Sequence, residues 1–265
     1  MKLTLRPFAT AVLAFGLIIP LTSCGSDSPS DTESNAGAPT ESSSANTETD
    51  TEDKAPGNAT NPLATMSVDE LEAKLKSVTI DGESLSPFFS PEEMKEMQES
   101  MSQAIEEAAN TMMVEPAECM ALAQESQKFQ SLPNIEHIVS VMSENRDHSV
   151  LVAKVTNAED LSSGVNDAVT YASECPELSL EIPSLGTTTH MSQTATEFVA
   201  APFPEGVIVT QDQTIEPMNQ STHSHSFYGV DPATGVYIFI SIPATQYSVD
   251  EAKTLITDVL NQLTS

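Results

Sequence analysis

The fold is decided by the stretch His223-Ser-His-Ser-Phe-Tyr-Gly-Val230, Asp231-Pro-Ala-Thr-Gly235 and Val236-Tyr-Ile-Phe-Ile-Ser-Ile242. Its first and last parts are rich in β-branched and aromatic residues, which favour β-strands. Between them, a proline and a glycine follow Asp231, a pattern typical of a turn. The stretch therefore predicts two strands, at 223–230 and 235–242, joined as a hairpin.

Segments of the same character lie before this hairpin. Three precede it directly, at about 178–182, 187–200 and 206–214, and two lie earlier, at 137–143 and 149–156. A polar turn near Asn145 joins the earlier pair. Because most of these segments are separated by short turns, they predict a mostly antiparallel sheet.

Helices are predicted between and around these strands. Ser67 and Glu70 form a capping-box pattern that opens a short helix, and Ser248 caps a final amphipathic helix. Two more helices are predicted at about 116–127 and 157–173. The order of elements predicts an α+β fold in which helices cover a mostly antiparallel sheet.

A further capping pattern, Ser90-Pro91-Glu92-Glu93, opens a helix with a stripe of methionines that includes Met94, Met97 and Met101. The spacing by three and four places these side chains on one helical face. Methionines at this spacing are typical of a hydrophobic core, and we expect that role. Two alternatives are thioether ligands for Cu(I) and the wall of an apolar groove for a lipid.

Residues 1–23 have the pattern of a lipoprotein signal peptide. Lys2 and Arg6 precede an apolar run from Phe8 to Leu21, and small residues lead to Cys24. A basic start, a short apolar run and a small-residue cleavage site are typical of a removed secretory signal. The cysteine at that site matches the bacterial lipobox, so we expect a palmitate-type lipid anchor at Cys24, on the extracytoplasmic face of the cell membrane. The alternative is a secreted protein whose cysteine falls there by chance.

The segment after Cys24 has a different composition from the rest of the chain. Up to Thr65 it consists mainly of Ser, Thr, Asn, Asp, Glu, Pro and Gly. Such a segment buries too little apolar surface to offset the entropy of ordering, so we expect 24–65 to be a lipidated cysteine and a disordered acidic tether. As a flexible coil, the tether would span roughly 35 Å. Residues 66–265 then form a single domain.

The chain is strongly acidic. It contains 39 Asp and Glu against 10 Lys and Arg, a formal net charge of −29. Residues 66–265 hold 31 of these acids and 7 of these bases, a net charge of −24. Nucleic acids and anionic lipid surfaces are bound through positive charge, so no nucleic-acid partner is expected. Cationic partners and divalent ions remain compatible, although solubility is the simpler interpretation.

Two cysteines remain once Cys24 is assigned to the anchor. They are Cys119 and Cys175. Outside the cytoplasm a cysteine pair most often forms a disulfide, which we expect here. A catalytic thiol is the alternative.

His223 and His225 form the sharpest local cluster of potential metal ligands. Residues two apart on a strand face the same side, so both imidazoles could reach one metal ion, with His190 or an acid as a further ligand. Two ligands make a weak site, so no metal is assigned. The simpler interpretation is a polar, exposed face of an edge strand.

Sequence patterns of catalysis are weak. The chain matches none of the serine-hydrolase elbow, the H-E-x-x-H motif, the P-loop or the dinucleotide fingerprint. Aromatic residues make up only 5% and there is no tryptophan, which disfavours a sugar-stacking cleft. We therefore predict no catalytic residues and no cofactor.

The order of elements around the two cysteines resembles a known family. Pro116 and Cys119 open a helix, Cys175 and Pro176 end another, and a hairpin with Gly235 precedes the last helix. Over about 114–263 this order resembles the actinobacterial lipoproteins whose domain is similar to the extracellular sensor part of the PknH-type receptor kinases. The resemblance implies a curved antiparallel sheet whose helices form a cleft, and a role in sensing or ligand binding. The chain departs from that sensor in having one cysteine pair rather than two, and no tryptophan.

Together these observations predict a non-enzymatic binding or sensor lipoprotein of an actinobacterial cell envelope. Its partners are the membrane, through Cys24, and a small ligand, an envelope lipid or another protein. The first alternative is an envelope lipid carrier or accessory factor, with the methionine-rich helix in the wall of its groove. The second is a hydrolase, which a serine or paired carboxylates with a partner in hydrogen-bond reach would favour.

Overall fold

The structure is a computed structural model that describes residues 61–87, 111–130, 135–156, 161, 163–183 and 186–265. All of these residues fall within one compact unit. The predicted signal peptide, Cys24 and the tether up to residue 60 lie outside the described residues. So does the methionine stripe at Met94, Met97 and Met101.

Four α-helices are described: α1 Val68–Lys76, α2 Cys119–Gln130, α3 Gly164–Glu174 and α4 Val249–Thr264. The predicted capping box of Ser67 and Glu70 is present before α1, and Ser248 pairs with Glu251 in the same way before α4. In each box the serine donates two hydrogen bonds to the glutamate carboxylate, one from its backbone N–H and one from its hydroxyl. These bonds, the backbone one most strongly, lower the pKa of Glu70 and of Glu251. The sequence therefore fixes where both helices begin.

A short 3-10 helix at Pro62–Thr65 precedes α1. The Asn61 side chain accepts a hydrogen bond from the Leu63 N–H at 3.1 Å, and Leu63 is buried in the core. The described structure therefore includes the last five residues of the segment assigned to the tether, one of which, Leu63, packs in the core.

Eleven strands are described, two of which pair as a small separate sheet. The bounds are β1 Thr79–Ile80, β2 Glu83–Ser84, β3 Ser86–Pro87, β4 Met113–Glu115, β5 Ile135–Met142, β6 Ser149–Val155, β7 Glu177–Ile182, β8 Thr187–Glu197, β9 Glu205–Glu216, β10 Gln220–Asp231 and β11 Val236–Pro243. β1 and β2 form the small sheet. The other nine form one sheet in the order β3-β5-β6-β11-β10-β9-β8-β7-β4, and every neighbouring pair is antiparallel.

The predicted fold class is confirmed, since helices and a large antiparallel sheet make up the described chain. The hairpin that opened the sequence analysis is β10 and β11, with Asp231 paired to Val236. In its turn, Gly235 has φ +69°, and a Cβ there would lie 2.7 Å from the Val155 carbonyl oxygen. Glycine is required at this position both by the backbone conformation and by the close approach of β6.

The two faces of the sheet bury different side chains. Phe227 and Ile208 belong to a core that includes residues of α1 and α4. Their neighbours along the strands, Tyr228 and Val207, belong to a second core that includes residues of α3. Because successive side chains of a strand point to opposite faces, one strand serves both cores. A third cluster surrounds the cysteine pair beneath α2 and α3.

The tyrosines give a measurable consequence of this packing. The chain has four tyrosines, and burial raises the pKa of Tyr171 and Tyr228 to about 12 and that of Tyr237 well above its ordinary value. Burial, followed by a hydrogen bond to Asp81, raises the pKa of Tyr247 to about 12.

We therefore expect little phenolate absorbance from the folded protein up to about pH 11, and marked absorbance only as the pH approaches about 12. The unfolded chain should titrate near pH 10. Since the neutral phenol is favoured in the folded state, the associated stability is complete below pH 10 and is lost as the pH rises towards 12. An alkaline titration followed by absorbance and circular dichroism tests this. Phenolate formation near pH 10 in protein that is still folded would contradict the packing.

Candidate functional site: a polar groove on the sheet

The half of the sheet that contains β4, β7, β8, β9 and the start of β10 has one buried face and one exposed, polar face, and the buried face also holds Thr189, Gln193 and Gln213. On β7, Leu178 and Leu180 are buried in the cluster beneath α2 and α3, and Glu177, Ser179 and Glu181 alternate with them. The registers of the neighbouring strands continue this alternation across the sheet. We call the following residues the polar face: Glu115, Glu177, Ser179, Glu181, Thr188, His190, Ser192, Asp212, Thr214, Glu216, Ser221 and His223.

A groove of about 530 Å³ lies on the polar face and is open to solvent. It is lined by Glu115, Glu177, Leu178, Ser179, His190, Met191, Ser192, Asp212, Gln213, Thr214 and His223. Three of these residues carry carboxylates and two carry imidazoles, whereas none is a lysine or arginine. The volume lies within the range of small-molecule sites, but the lining is more polar than in most of them.

Asp212 and His223 face each other across β9 and β10. Asp212 Oδ1 and His223 Nδ1 are hydrogen-bonded, and because a carboxylate only accepts, Nδ1 carries the hydrogen. The two side chains are 56% and 45% exposed, respectively. The carboxylate thus fixes the orientation of an imidazole that stays accessible to a ligand.

Ser179 and His190 form a second pair, across β7 and β8. Ser179 Oγ and His190 Nδ1 lie 2.8 Å apart. Next along the same row, the hydroxyls of Thr214 and Ser221 are hydrogen-bonded at 3.0 Å. A row of hydroxyl and imidazole groups therefore crosses the polar face from β7 to β10.

The Ser179–His190 pair contains the two residue types that serve as nucleophile and general base in a serine hydrolase. In a serine hydrolase, a carboxylate bonds the other ring nitrogen of the histidine, and backbone N–H groups stabilise the oxyanion. His190 has no hydrogen bond to a carboxylate among the described residues. The pair also lies on an open, exposed strand surface, where water competes for each contact. The described residues thus supply a serine–histidine pair without the carboxylate of a triad.

The second histidine of the predicted metal pair, His225, is in a different environment. It shares a face with His223, as its register partner Thr210 shows, but it is only 3% exposed. Its Nε2 donates to the Tyr247 carbonyl oxygen at 2.8 Å, and its Nδ1 lies 2.8 Å from the Thr210 hydroxyl. Both ring nitrogens are therefore occupied. The alternative of an edge strand is wrong, because β10 is the middle strand of nine.

The described residues contain no group of three His, Cys, Asp or Glu arranged to hold a metal ion. His190 lies with His223 in the groove, whereas His225 is not among the lining residues. No helix in the described ranges is both long and apolar enough to cross a membrane.

The structure contains a disulfide between Cys119, the first residue of α2, and Cys175, directly after α3. Both cysteines are buried. The bond lies in the cluster on the apolar side of β7 and β8, whose other side carries the groove. The disulfide thus stabilises the strands that carry the groove from their buried side, and it does not line the groove.

Sequence reasoning did not assign the groove. Of its polar residues, only His190 and His223 were considered, and as metal ligands. The available signal was the alternation of leucine and polar residues on β7, which predicts one solvated strand face. β8 and the second half of β9 carry polar residues at nearly every position, so their sequences do not separate the two faces. Which polar residues become neighbours depends on the register between the strands. A single sequence does not specify that register.

Comparison with known proteins adds a weak structural resemblance. No protein-family model matches the chain, and no curated protein matches it either. A solved structure similar to this one is the extracellular domain of PknH from Mycobacterium tuberculosis, with a TM-score of 0.36 and 11% identity, covering 76% of this chain and 93% of that chain.

Proposed function

We propose that this protein is a non-enzymatic binding or sensor protein, held at the outer face of the cell membrane by a lipid on Cys24, and that its ligand binds in the polar groove. The observation that carries the proposal is the convergence of three carboxylates, two oriented imidazoles and several hydroxyls on one concavity of about 530 Å³. Ligand sites in proteins typically combine a concave surface with a few convergent polar groups.

The sequence before the domain supports the place of action. A lipid on Cys24 followed by a tether of roughly 35 Å would hold the groove away from the membrane surface, within reach of soluble molecules or other proteins. The buried disulfide fits an oxidising compartment. Both features support a domain that acts outside the cytoplasm.

The groove supports a polar ligand more than a lipid. Leu178 and Met191 are its apolar lining residues, and both also belong to the buried cluster on the other side of the sheet. An acyl chain gains its binding free energy from apolar surface, about 0.8 kcal/mol for each buried methylene. Because the groove is open to solvent, an acyl chain lying in it would keep much of its surface in contact with water. The lipid-carrier alternative depends on Met94, Met97 and Met101, which lie outside the described residues.

The test uses the five histidines of the chain as reporters. We expect the polar small-molecule fraction of the protein's own envelope to shift the NMR resonances of the His190 and His223 rings, which line the groove. The ring resonances of His137 and His148, which do not line it, should stay unchanged. Native mass spectrometry of the protein purified from that envelope then gives the mass of the bound molecule.

Matched variants make this test specific. Asp212→Asn removes the partner of His223 and is expected to weaken the ligand-induced shifts. Asp258→Asn, an exposed change of the same chemistry on α4, should leave them intact. If neither groove histidine responds to any envelope fraction and the protein has no bound molecule, the groove is not the ligand site.

A further inference from the structure

We propose that Ser179 is a nucleophile, and that the groove accepts acyl groups from small neutral esters through the Ser179–His190 pair. This inference goes beyond the proposed function, because it adds a covalent step to a groove that is otherwise proposed to bind its ligand without reaction. It follows from the geometry of the pair, from the concave surface around it and from the charge of the lining residues.

The pair has the geometry that proton transfer requires. Ser179 Oγ and His190 Nδ1 lie 2.8 Å apart, within the range in which a general base removes a hydroxyl proton. In the neutral tautomer that carries its hydrogen on Nε2, Nδ1 accepts a hydrogen bond from the Ser179 hydroxyl. The two residues lie directly opposite each other on β7 and β8, so the strand register holds the hydroxyl beside the base before a substrate binds.

The pair lies on paired strands inside the groove. β7 is bonded to β4 on one side and to β8 on the other, and on its opposite face Leu178 and Leu180 pack beneath α2 and α3. Groups held on strands keep a reactive geometry better than groups on loops. Ser179 and His190 both line the groove of about 530 Å³, which has room for the acyl and alcohol parts of a small ester.

The reaction transfers the acyl group in two steps. Ser179 Oγ attacks the carbonyl carbon of the ester, its proton passes to His190 Nδ1, and the bond between the carbonyl carbon and the alcohol oxygen breaks. The departing oxygen takes up that proton, which leaves an acyl-serine and a free alcohol. Water then attacks the acyl-serine while Nδ1 accepts a proton from it, and the proton returns to Ser179 Oγ as the carboxylic acid departs.

Ser192 is placed to stabilise the negative charge that develops on the carbonyl oxygen. It lines the groove and lies opposite Glu177, so it is the diagonal neighbour of Ser179 across β7 and β8. Diagonal neighbours are about 7–8 Å apart, close enough for both side chains to contact one bound carbonyl group. The Ser192 hydroxyl has no hydrogen bond to another described residue, so it is available as a donor to that oxygen.

Two features of the groove determine the rate and the choice of ester. His190 lacks the carboxylate of a triad, whose loss costs about 10⁴-fold in kcat in serine proteases, so we expect slow reaction with activated esters. Three lining residues, Glu115, Glu177 and Asp212, carry carboxylates, and no lining residue is a lysine or arginine. An anionic ester is therefore repelled, whereas a neutral ester is not.

The experiment uses the full chain, purified in detergent with its own processing, and p-nitrophenyl acetate as the ester. We expect a burst of nitrophenolate equal in amount to the protein, followed by slower release. The burst arises because nitrophenolate leaves more readily than the alkoxide of serine, so the acetyl-serine accumulates. Peptide mapping by mass spectrometry should find the acetyl group on Ser179. Acetyl groups found only on lysines or on His190 would overturn the proposal.

Variants assign the roles of the side chains. Ser179→Ala should abolish the burst, and His190→Gln and Ser192→Ala should each slow it by about 100-fold, the lower end of the usual contribution of a general base or of an oxyanion donor. Ser221→Ala is the matched control and should keep the burst, because that serine is bonded to Thr214 and does not line the groove. Circular dichroism establishes that each variant is folded. A burst that persists in Ser179→Ala, or that Ser221→Ala loses equally, contradicts the assignment.

The effect of charge is tested with mono-p-nitrophenyl succinate, an ester that carries a carboxylate. With each rate taken relative to the reaction of the same ester with free imidazole, the succinate should acylate the protein roughly fivefold more slowly than the acetate at low salt. Added salt should reduce that ratio, because the repelling carboxylates are exposed and are screened by ions. Equal relative rates at low salt would place the reaction outside the groove and overturn the proposal.

This inference and the proposed function fail in different ways. If no acetyl group forms on Ser179 but an envelope molecule shifts the His190 and His223 resonances, the groove binds a ligand and the acyl-transfer inference alone is overturned. If Ser179 is acetylated but no envelope molecule shifts those resonances or remains bound, the inference stands and the proposed function fails.

Discussion

Removal of the disulfide through Cys119→Ala/Cys175→Ala is expected to lower the free energy of unfolding by about 3–4 kcal/mol. The two cysteines are 56 residues apart in sequence, and the loop that they close restricts the unfolded chain strongly. Replacement of both avoids a free thiol. Each alanine also lacks the buried sulfur atom of the cysteine it replaces, so the loss of buried volume lowers the stability further.

The loss should be concentrated in the elements that the disulfide holds. The bond joins the start of α2 to the end of α3, and Gln193 of β8 donates from Nε2 to the Cys175 carbonyl oxygen at 3.0 Å. The backbone N–H of Gln193 also donates to the Pro176 carbonyl oxygen at 2.8 Å. These contacts fix the helix pair to the back of the strands that carry the groove. We expect faster amide exchange in α2, β4 and β7 than in α4.

The measurement is urea unfolding of the chain from Gly25 onward, followed by circular dichroism, with and without the two substitutions. Peptide mapping without reduction establishes first that the parent protein contains the bond. The variant Ala252→Gly, which opens a small cavity beneath α4, serves as a control that destabilises the opposite part of the domain. An unchanged midpoint in the double alanine variant, or two free thiols in the parent, would refute the prediction.

The sequence predicted the central sheet and the terminal helices well because their signals are local. The strands at 149–156, 187–200 and 206–214 correspond to β6, β8 and β9 within a few residues. β-branched and aromatic residues, and the turn at Asp231, act on a few neighbours only. The capping boxes at α1 and α4 are equally local, since the cap and its glutamate are three residues apart.

The parts that were not predicted depend on contacts between distant segments. β3 and β4 have two and three residues, too few for any periodicity, and form only where β5 and β7 offer an edge. The burial of His225 has a similar cause. Its strand pattern matches that of His223, but the segment before α4 brings the Tyr247 carbonyl to its ring.

The groove shows the same dependence on register. Asp212 and His223 are eleven residues apart and become partners only because β9 and β10 pair with Asp212 opposite His223. A slip by one residue would turn each of these side chains to the opposite face. The apolar residues beneath the helices prevent such a slip, since they would otherwise be exposed. The packing of the buried face thus determines which polar side chains lie together on the exposed face.

Replacement of the proposed anchor residue through Cys24→Ala is expected to abolish acylation and stable attachment to the membrane. Each buried methylene contributes about 0.8 kcal/mol, and a single acyl chain binds only reversibly, so stable attachment requires the two or three chains of a bacterial lipoprotein. The strongly acidic chain supplies no electrostatic attraction to an anionic bilayer that would compensate.

The measurement is the mass of the N-terminal peptide together with the distribution of the protein between membrane and soluble fractions. The parent should yield an acylated peptide that begins at Cys24, and the variant should yield either released protein or an unprocessed precursor with the signal still attached. Ser23→Ala keeps a small residue before the cysteine and should be processed like the parent. Cys119→Ala should also leave the acylated peptide unchanged, since that cysteine lies in the buried disulfide. If Cys24→Ala is cleaved and retained like the parent, attachment does not depend on this thiol, and the placement of the groove outside the membrane needs another basis.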